Sequence, residues 1–229
     1  MNVREELKKI ELAYGARDEG YKRYNPYDFF TKDYVWTVFS EQSAFLDSLN
    51  YVGYRMDSHA RILDIGCGDG RWGSLLLNWL PDSSYFGVDL MQSRLQKGKT
   101  HFELNVLNAS GSDLPFKNQA FDIVYHTTLF SSLPVQIWPV FLAEIQRVTK
   151  HGGHFLWFDV ETDRMGISRT EVTSLITQAG FTLLKSSRRV LNFDFMVRLK
   201  KYHIPLFLRL LVSLFYRRYW VLNILVRNP

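Results

Sequence analysis

An α/β fold on a mostly parallel sheet, with a ligand crevice at the carboxyl ends of its strands, is what this sequence predicts. Three observations carry that expectation. Between residues 60 and 160, apolar runs that read as strands alternate with segments of helical period, which calls for right-handed crossovers within one sheet. The first run, Arg61-Ile62-Leu63-Asp64-Ile65, ends in the turn Gly66-Cys67-Gly68-Asp69-Gly70 and passes directly into a helix. About nineteen residues after that turn, a second run, Tyr85-Phe86-Gly87-Val88-Asp89-Leu90, carries an acid at its end.

These features imply a ligand. Alternating glycines let the backbone bend sharply and approach a bound molecule without a Cβ in the way, and the following helix turns free N–H groups toward it. Asp89, at that spacing, is placed to accept bonds from ribose hydroxyls, so an adenosine-type ligand is the first expectation. Asp64 selects among such ligands. Two positions before the first glycine, its charge would repel a pyrophosphate but suits a cationic amino-acid head. The spacing is Gly-x-Gly-x-Gly, not the Gly-x-Gly-x-x-Gly of dinucleotide sites. Both departures favour S-adenosylmethionine over a nicotinamide dinucleotide.

Leu63-Asp64-Ile65-Gly66-Cys67-Gly68-Asp69-Gly70 resembles the first motif of class I S-adenosylmethionine-dependent methyltransferases. The resemblance continues in order through Gly87-Val88-Asp89-Leu90, Asp113-Leu114-Pro115-Phe116, Phe121-Asp122-Ile123-Val124 and Glu144 to Gly153. It implies a single-domain, Rossmann-like seven-stranded methyltransferase fold, mostly parallel with an antiparallel last strand. The cofactor is then S-adenosyl-L-methionine and the product S-adenosyl-L-homocysteine. Cofactor contacts are expected from Asp64, Gly66, Cys67, Gly68, Gly70, Asp89, Leu90, Ser110, Gly111 and His126. Ser110 departs from the family, which usually places an aspartate there for the adenine amino group; a hydroxyl is a weaker acceptor. The chain is similar in particular to small methyltransferases of glycan and lipopolysaccharide biosynthesis, through Thr128-Leu129-Phe130-Ser131-Ser132-Leu133 and Leu156-Trp157-Phe158-Asp159.

The elements follow from spacing and punctuation. Val3, Leu7, Ile10 and Tyr14 share one face of a helix over 3–16, which Gly15 and Gly20 should end. Residues 1–50 are expected as a helical cap over the cofactor, with Arg17, Tyr21 and Tyr24 as candidates to line its methionine end. Asp33 would cap a second helix with Val35, Val38, Phe39, Phe45, Leu46 and Leu49 inward. In the core domain, 51–229, strands are expected at 61–65, 84–89, 101–107, 121–126 and 153–159, and helices near 71–79, 91–98 and 136–149. Arg169 to Ala179 reads as a helix closed by Gly180, and Phe181 to Leu191 as a strand. Residues 194–216 read as a basic, apolar helical insertion that Pro205 interrupts, and Tyr219 to Val226 as a final strand buried on both faces.

Composition bounds the function. A chain of 229 residues can bury a full core. The single cysteine, Cys67, excludes disulfides within the chain and fits a reducing, cytoplasmic setting; it reads as a small spacer in the turn rather than a nucleophile. From Lys185 onward ten Lys and Arg meet one acid, Asp194, a net +9 in a chain of net +5, which leaves −4 for residues 1–184. That asymmetry points to an anionic surface or substrate. Residues 197–218 interleave bases with large apolar side chains, as a segment lying at an anionic membrane's inner face would. No recognisable nucleic-acid module accompanies them. The histidines show no metal spacing, so no metal is expected.

Methyl transfer from a sulfonium depends mainly on orientation and exclusion of water, and a hydroxyl acceptor must also lose its proton. His126, ending the fourth strand, is the first candidate base, and Asp159, ending the fifth, the second. The expected acceptor is a glycan or lipid-linked glycan hydroxyl. The rival readings are methylation of another small molecule, such as a quinone or polyketide, and a non-catalytic cofactor-binding subunit. Retention of both Asp64 and Asp89 argues against the subunit.

Overall fold

The computed structural model describes residues 2–20, 34–161, 168–191 and 219–229. Its elements are α1 (Val3–Gly20), α2 (Tyr34–Tyr51), β1 (Arg61–Ile65), α3 (Arg71–Leu77), β2 (Ser84–Asp89), α4 (Gln92–Phe102), β3 (Val106–Asn108), β4 (Phe121–Thr127), α5 (Trp138–Val148), β5 (Thr149–Glu161), α6 (Arg169–Gln178), β6 (Thr182–Leu191) and β7 (Tyr219–Arg227). The seven strands lie in the order β3-β2-β1-β4-β5-β7-β6. Neighbours from β3 to β5 are parallel, and β7 runs antiparallel between β5 and β6. The sheet expected from the sequence is therefore present, antiparallel last strand included.

Strand order reverses beside β1, and the open crevice of such a sheet falls at that switch point. Alternation along β1 divides the core. Leu63 and Ile65 face one apolar layer, covered by α5 (Trp138, Phe141, Leu142, Ile145) and α6 (Val172, Ile176), to which Leu7 of α1 also belongs. Ile62 faces the other layer, with Phe45 and Leu49 of α2, Leu76 of α3 and Leu95 of α4. Both layers are sealed, since Ile62, Leu63, Ile123, Val124 and Leu156 are fully buried.

Several boundaries differ from expectation. Helix α1 runs through Gly15 to Gly20. A glycine inside a helix costs about 1 kcal/mol relative to alanine; at Gly15 a Cβ would meet only the Met91 methyl, at 4.0 Å. Helix α4 extends to Phe102, so His101 and Phe102 are helical where a strand was expected. Thr100 hydrogen-bonds back to the carbonyls of Gln96 and Lys97, and Glu103 closes the helix at φ 53. The third strand is left with only Val106–Asn108. Strand β5 begins four residues early, at Thr149, through a bend in which Gly152 takes φ 75. Asp33, Tyr21, Tyr24 and the basic helix of 194–216 lie outside the described residues.

Candidate active site

The glycine turn and the paired acids collect at the carboxyl ends of β1 and β2. The turn after β1 is tied down by its own backbone: Gly66 and Cys67 donate to the Val88 carbonyl, and Gly70 donates to that of Cys67. Gly70 sits at φ 78 and opens α3. Gly68, at φ 57, would meet nothing within 4 Å if it carried a Cβ, so its face of the turn looks into open space. Its N–H donates to Asp89 Oδ2 at 2.9 Å, and the other oxygen of Asp89 accepts from the Met91 N–H at 2.8 Å. Asp89 thus joins the turn to the β2–α4 connection. Leu90 packs at the edge of the core, and its carbonyl accepts from Asn108 at 2.8 Å.

Asp64 is fully buried. The hydroxyls of Tyr85 on β2 and Tyr125 on β4 both donate to its Oδ2, each at 2.9 Å. Its Oδ1 has no hydrogen-bond partner in the structure. Burial pushes the carboxyl up to about 7; the two tyrosine bonds pull the other way, and the nearby Asp89 charge adds to the rise. Burial likewise pushes the Cys67 thiol well above its ordinary value, as an inert spacer requires.

Ser110 and Gly111 follow β3 beside this turn. Ser110 Oγ accepts from the Ser112 N–H at 3.1 Å and shares a 2.7 Å bond with the Ser112 hydroxyl. Gly111 is buried, and a Cβ there would stand 2.7 Å from Ile65 and 2.8 Å from Phe141. Helix α1 reaches both rims of the crevice. Tyr14 hydrogen-bonds Ser132 past β4, while the Arg94 guanidinium past β2 lies 4.9 Å from the centre of the Tyr14 ring. Leu129, on the loop after β4, packs within 3.0 Å of the Cβ position of Gly66.

His126 and Asp159 lie on the opposite face from Asp64, the face of α5. Both are fully buried. The imidazole is enclosed by Phe130 and Trp157, each with its ring centre 4.8 Å away, and by Phe155 at 5.9 Å. Neither ring nitrogen has a hydrogen-bond partner in the structure, and Nδ1 stands 3.8 Å from Asp159 Oδ2. Burial lowers the imidazole to about 3, so the ring is neutral and that approach is not an ion pair. Asp159 Oδ2 accepts instead from the Ser131 N–H at 3.0 Å, holding the loop after β4. A proton acceptor is most effective when its pKa lies near the working pH, and this enclosed ring does not meet that condition.

The burial of His126 has a measurable consequence. The unfolded chain protonates this imidazole near pH 6.5 and the folded chain only near 3, so its contribution to stability is lost as pH falls from 6.5 toward 3. Asp64 has the opposite slope between about 4 and 7, and the two offset each other in the parent protein. His126→Leu removes one of the two. Its stability relative to the parent, from urea unfolding, is expected to improve steadily as pH is lowered from 7 to 5. A difference independent of pH would contradict the enclosure.

Of the residues expected from sequence, the structure gathers Asp64, Gly66, Cys67, Gly68, Gly70, Asp89 and Leu90 at one edge, with Ser110 and Gly111 adjoining. His126 and Asp159 stand apart across the sheet. Tyr85, Tyr125 and Leu129 were not anticipated. Two tyrosines on the strands that flank the acid's own strand were the available signal. Among the described residues no cluster of three or more His, Cys, Asp and Glu is placed to hold a metal.

Sheet order, glycine turn and paired acids together define a class I S-adenosylmethionine-dependent methyltransferase domain. The residues suit that cofactor: Asp64 keeps an unpartnered buried oxygen for a cation, and Gly68 leaves room above the turn. The comparisons agree: residues 62–153 match the family described as a methyltransferase domain. A Mycobacterium ulcerans relative in the phthiotriol/phenolphthiotriol dimycocerosates methyltransferase group is 30% identical over 166 residues, 66% of this chain and 61% of that one. A fatty-acid O-methyltransferase of Mycolicibacterium smegmatis is 31% identical over 137 residues, 58% of this chain and 47% of that one. The chain therefore spans between about half and three fifths of these relatives' lengths. A Burkholderia thailandensis 1,6-didemethyltoxoflavin-N1-methyltransferase, solved with S-adenosylhomocysteine, superposes with a TM-score of 0.61 over 95% of this chain and 89% of that one, at 17% identity. At that identity the likeness speaks for the fold alone.

Proposed function

We propose that this protein transfers the methyl group of S-adenosylmethionine to an oxygen of an amphiphilic acceptor, a lipid or a lipid-linked glycan. One observation carries the donor half: Asp64, buried with one oxygen unpartnered, stands one strand from Asp89 across a turn that is open above Gly68. When bound, the cofactor supplies an electrophilic methyl on a sulfonium, and the chain's own task is to bind, orient and exclude water. Asp64 is suited to the cationic amino-acid head, Asp89 to ribose hydroxyls and Ser110 to the adenine edge. Helix α1 touches both rims of the crevice and shields it.

Support for the acceptor half comes from the names of the relatives, which specify phthiotriol dimycocerosates and fatty acids, with no glycan among them. Those names move the expectation from a glycan or lipid-linked glycan toward a lipid. The sequence of 197–218, basic and apolar together, is suited to holding the protein at an anionic bilayer that presents such an acceptor. No described helix is long and apolar enough to cross a membrane. Removal of the acceptor's proton falls to His126 with Asp159 only if the aromatic enclosure opens during turnover. A fall of about a hundredfold or more in kcat for His126→Asn, with cofactor binding retained, is what that role requires.

The deciding experiment uses labelled S-adenosylmethionine with the purified protein and fractionated cell extract. Label is expected in the organic-solvent-soluble lipid fraction, stable to mild alkali for an ether and released for an ester. Label confined to RNA or to water-soluble metabolites would refute the lipid acceptor. Co-sedimentation with vesicles of anionic phospholipid should be lost when Arg198, Lys200 and Lys201 are changed to Glu; unchanged binding would remove the membrane from the account.

A further inference from the structure

We propose that Tyr85 and Tyr125 are positioning residues that occupy one oxygen of Asp64 and so reserve the other for the cofactor's ammonium. The inference rests on the S-adenosylmethionine reading above and goes beyond it, because it makes cofactor binding a proton-coupled event. It begins with a slot. Tyr85 lies two residues before Gly87 on the same face of β2, and its ring runs along the strand toward the carboxyl edge. A Cβ on Gly87 would stand 2.9 Å from the Tyr85 hydroxyl and 2.7 Å from Cys67 Sγ. On the other side, a Cβ on Gly73 of α3 would stand 2.2 Å from the ring and 2.6 Å from the same hydroxyl. Two glycines on different elements therefore leave the lane by which the hydroxyl reaches Asp64.

Tyr125 comes from the other side. It is the direct cross-strand partner of Asp64 on β4, and Phe45 of α2 packs edge-on against its ring at 5.0 Å. Both tyrosines are buried, at 3% and 0% exposure, so their hydroxyls have few alternatives to the carboxylate. Both choose the same oxygen, each at 2.9 Å. A carboxylate has room for about four bonds, two at each oxygen. Saturating Oδ2 while Oδ1 is left bare gives the group one direction in which to act. An unmade bond to a buried charged oxygen is costly, and a ligand ammonium would satisfy it.

The groups facing Asp64 make its proton the one that moves. Tyr85 and Tyr125 are held in their neutral, donating forms by burial, each raised well above a free tyrosine. Cys67 from the turn is likewise kept as a thiol. Asp89, the other acid, raises Asp64 further by its charge, and Phe45 and Gly73 offer no charge at all. With the carboxyl at about 7, a cationic head docking on Oδ1 draws off the proton still held there. Cofactor binding at neutral pH then releases a fraction of a proton, on the order of one half at pH 7.

Calorimetry on the full chain tests this. For the parent protein, S-adenosylmethionine is expected to bind more tightly as pH rises from 6 to about 7.5, before the ligand's own ammonium begins to lose its proton, with proton release at pH 7 measured in buffers of different ionisation enthalpy. In Tyr85→Phe and Tyr125→Phe the loss of one donor raises Asp64 further, so binding at pH 7 should weaken roughly tenfold, while at pH 9 the gap narrows to about twofold. The control is 5′-methylthioadenosine, which lacks the amino-acid head; its affinity should be independent of pH and unchanged in both variants. Equal weakening of both ligands in the variants would show that the tyrosines only pack, and would overturn the proposal. Binding of S-adenosylmethionine with no pH dependence or proton release would overturn it alone, leaving the cofactor assignment standing. No binding of either compound to the parent protein would overturn the cofactor reading and the proposal with it.

Discussion

Asp64→Asn is expected to weaken S-adenosylmethionine binding by roughly a hundredfold while making the protein more stable at pH 8. Two opposing roles of one side chain produce this result. A hydrogen bond between charged groups in a buried site contributes up to about 3 kcal/mol, which is roughly a hundredfold in Kd. The same charge is expensive without its ligand. The carboxyl ionises near 7 in the fold and near 4 in the unfolded chain, so the folded protein holds a proton through that window that the unfolded chain has given up. Stability therefore falls as pH rises from about 4 to 7, and above 7 the full cost is on the order of 4 kcal/mol. Asparagine keeps an acceptor for both tyrosines and carries no charge, but it leaves a buried amide N–H group unmatched, at a cost of about 1–3 kcal/mol. The charge term is the larger above pH 7. Urea unfolding should thus show a gain of about 1–3 kcal/mol at pH 8 that shrinks toward pH 5. A variant less stable than the parent at both pH values, or one that still binds the cofactor normally, would contradict this account of the site.

Gly73→Ala is expected to be the most damaging single-methyl change near the site. Helix propensity alone predicts a gain of about 1 kcal/mol, since alanine is the better residue in a helix. Packing reverses the sign. The added carbon would fall 2.2 Å from Cζ and 2.3 Å from Cε2 of Tyr85, and this ring is no flexible tip: it is buried and its hydroxyl is bonded to Asp64. Overpacking of this severity costs about 3 kcal/mol or more. The net loss is then about 2 kcal/mol, a fall in Tm of roughly 4–8 °C for a domain of this size. Tyr85→Leu in the same chain removes the obstacle, so the double variant should be more stable than the sum of the two single changes by more than about 1 kcal/mol. Simple additivity, or an unaffected Gly73→Ala, would mean the ring has another place to go.

Much of this architecture was legible beforehand because it is local. The bend at Gly66 to Gly70 needs backbone angles that disfavour side chains, and that demand is written residue by residue. Ser168 and Glu171 form a reciprocal cap on α6, two side chains answering two backbone N–H groups within four residues. The misjudged boundaries were set by features that composition and periodicity do not show. Gly15 reads as a helix breaker, yet α1 runs through it to Gly20. His101 and Phe102 read as strand until Glu103, in a left-handed conformation, is found to close the helix after them.

The site divides in the same way. Asp64 and Asp89 could be named from the chain alone, because strand ends and a glycine turn are local signals and carboxylates near them have few structural reasons to exist. The surroundings of His126 could not. Period-two alternation puts it on the face opposite Tyr125, but Phe130 and Trp157, which close around it, arrive only when the sheet and the loop after β4 assemble. By itself the sequence determined the element types, the turn and the two acids, since backbone sterics and apolar periodicity act over a few residues. Only the tertiary structure decided that one oxygen of Asp64 is taken by two tyrosines and the other left bare. Its three participating residues sit on β1, β2 and β4, up to sixty-one positions apart in the chain, and only the sheet's hydrogen-bonded order brings them within reach.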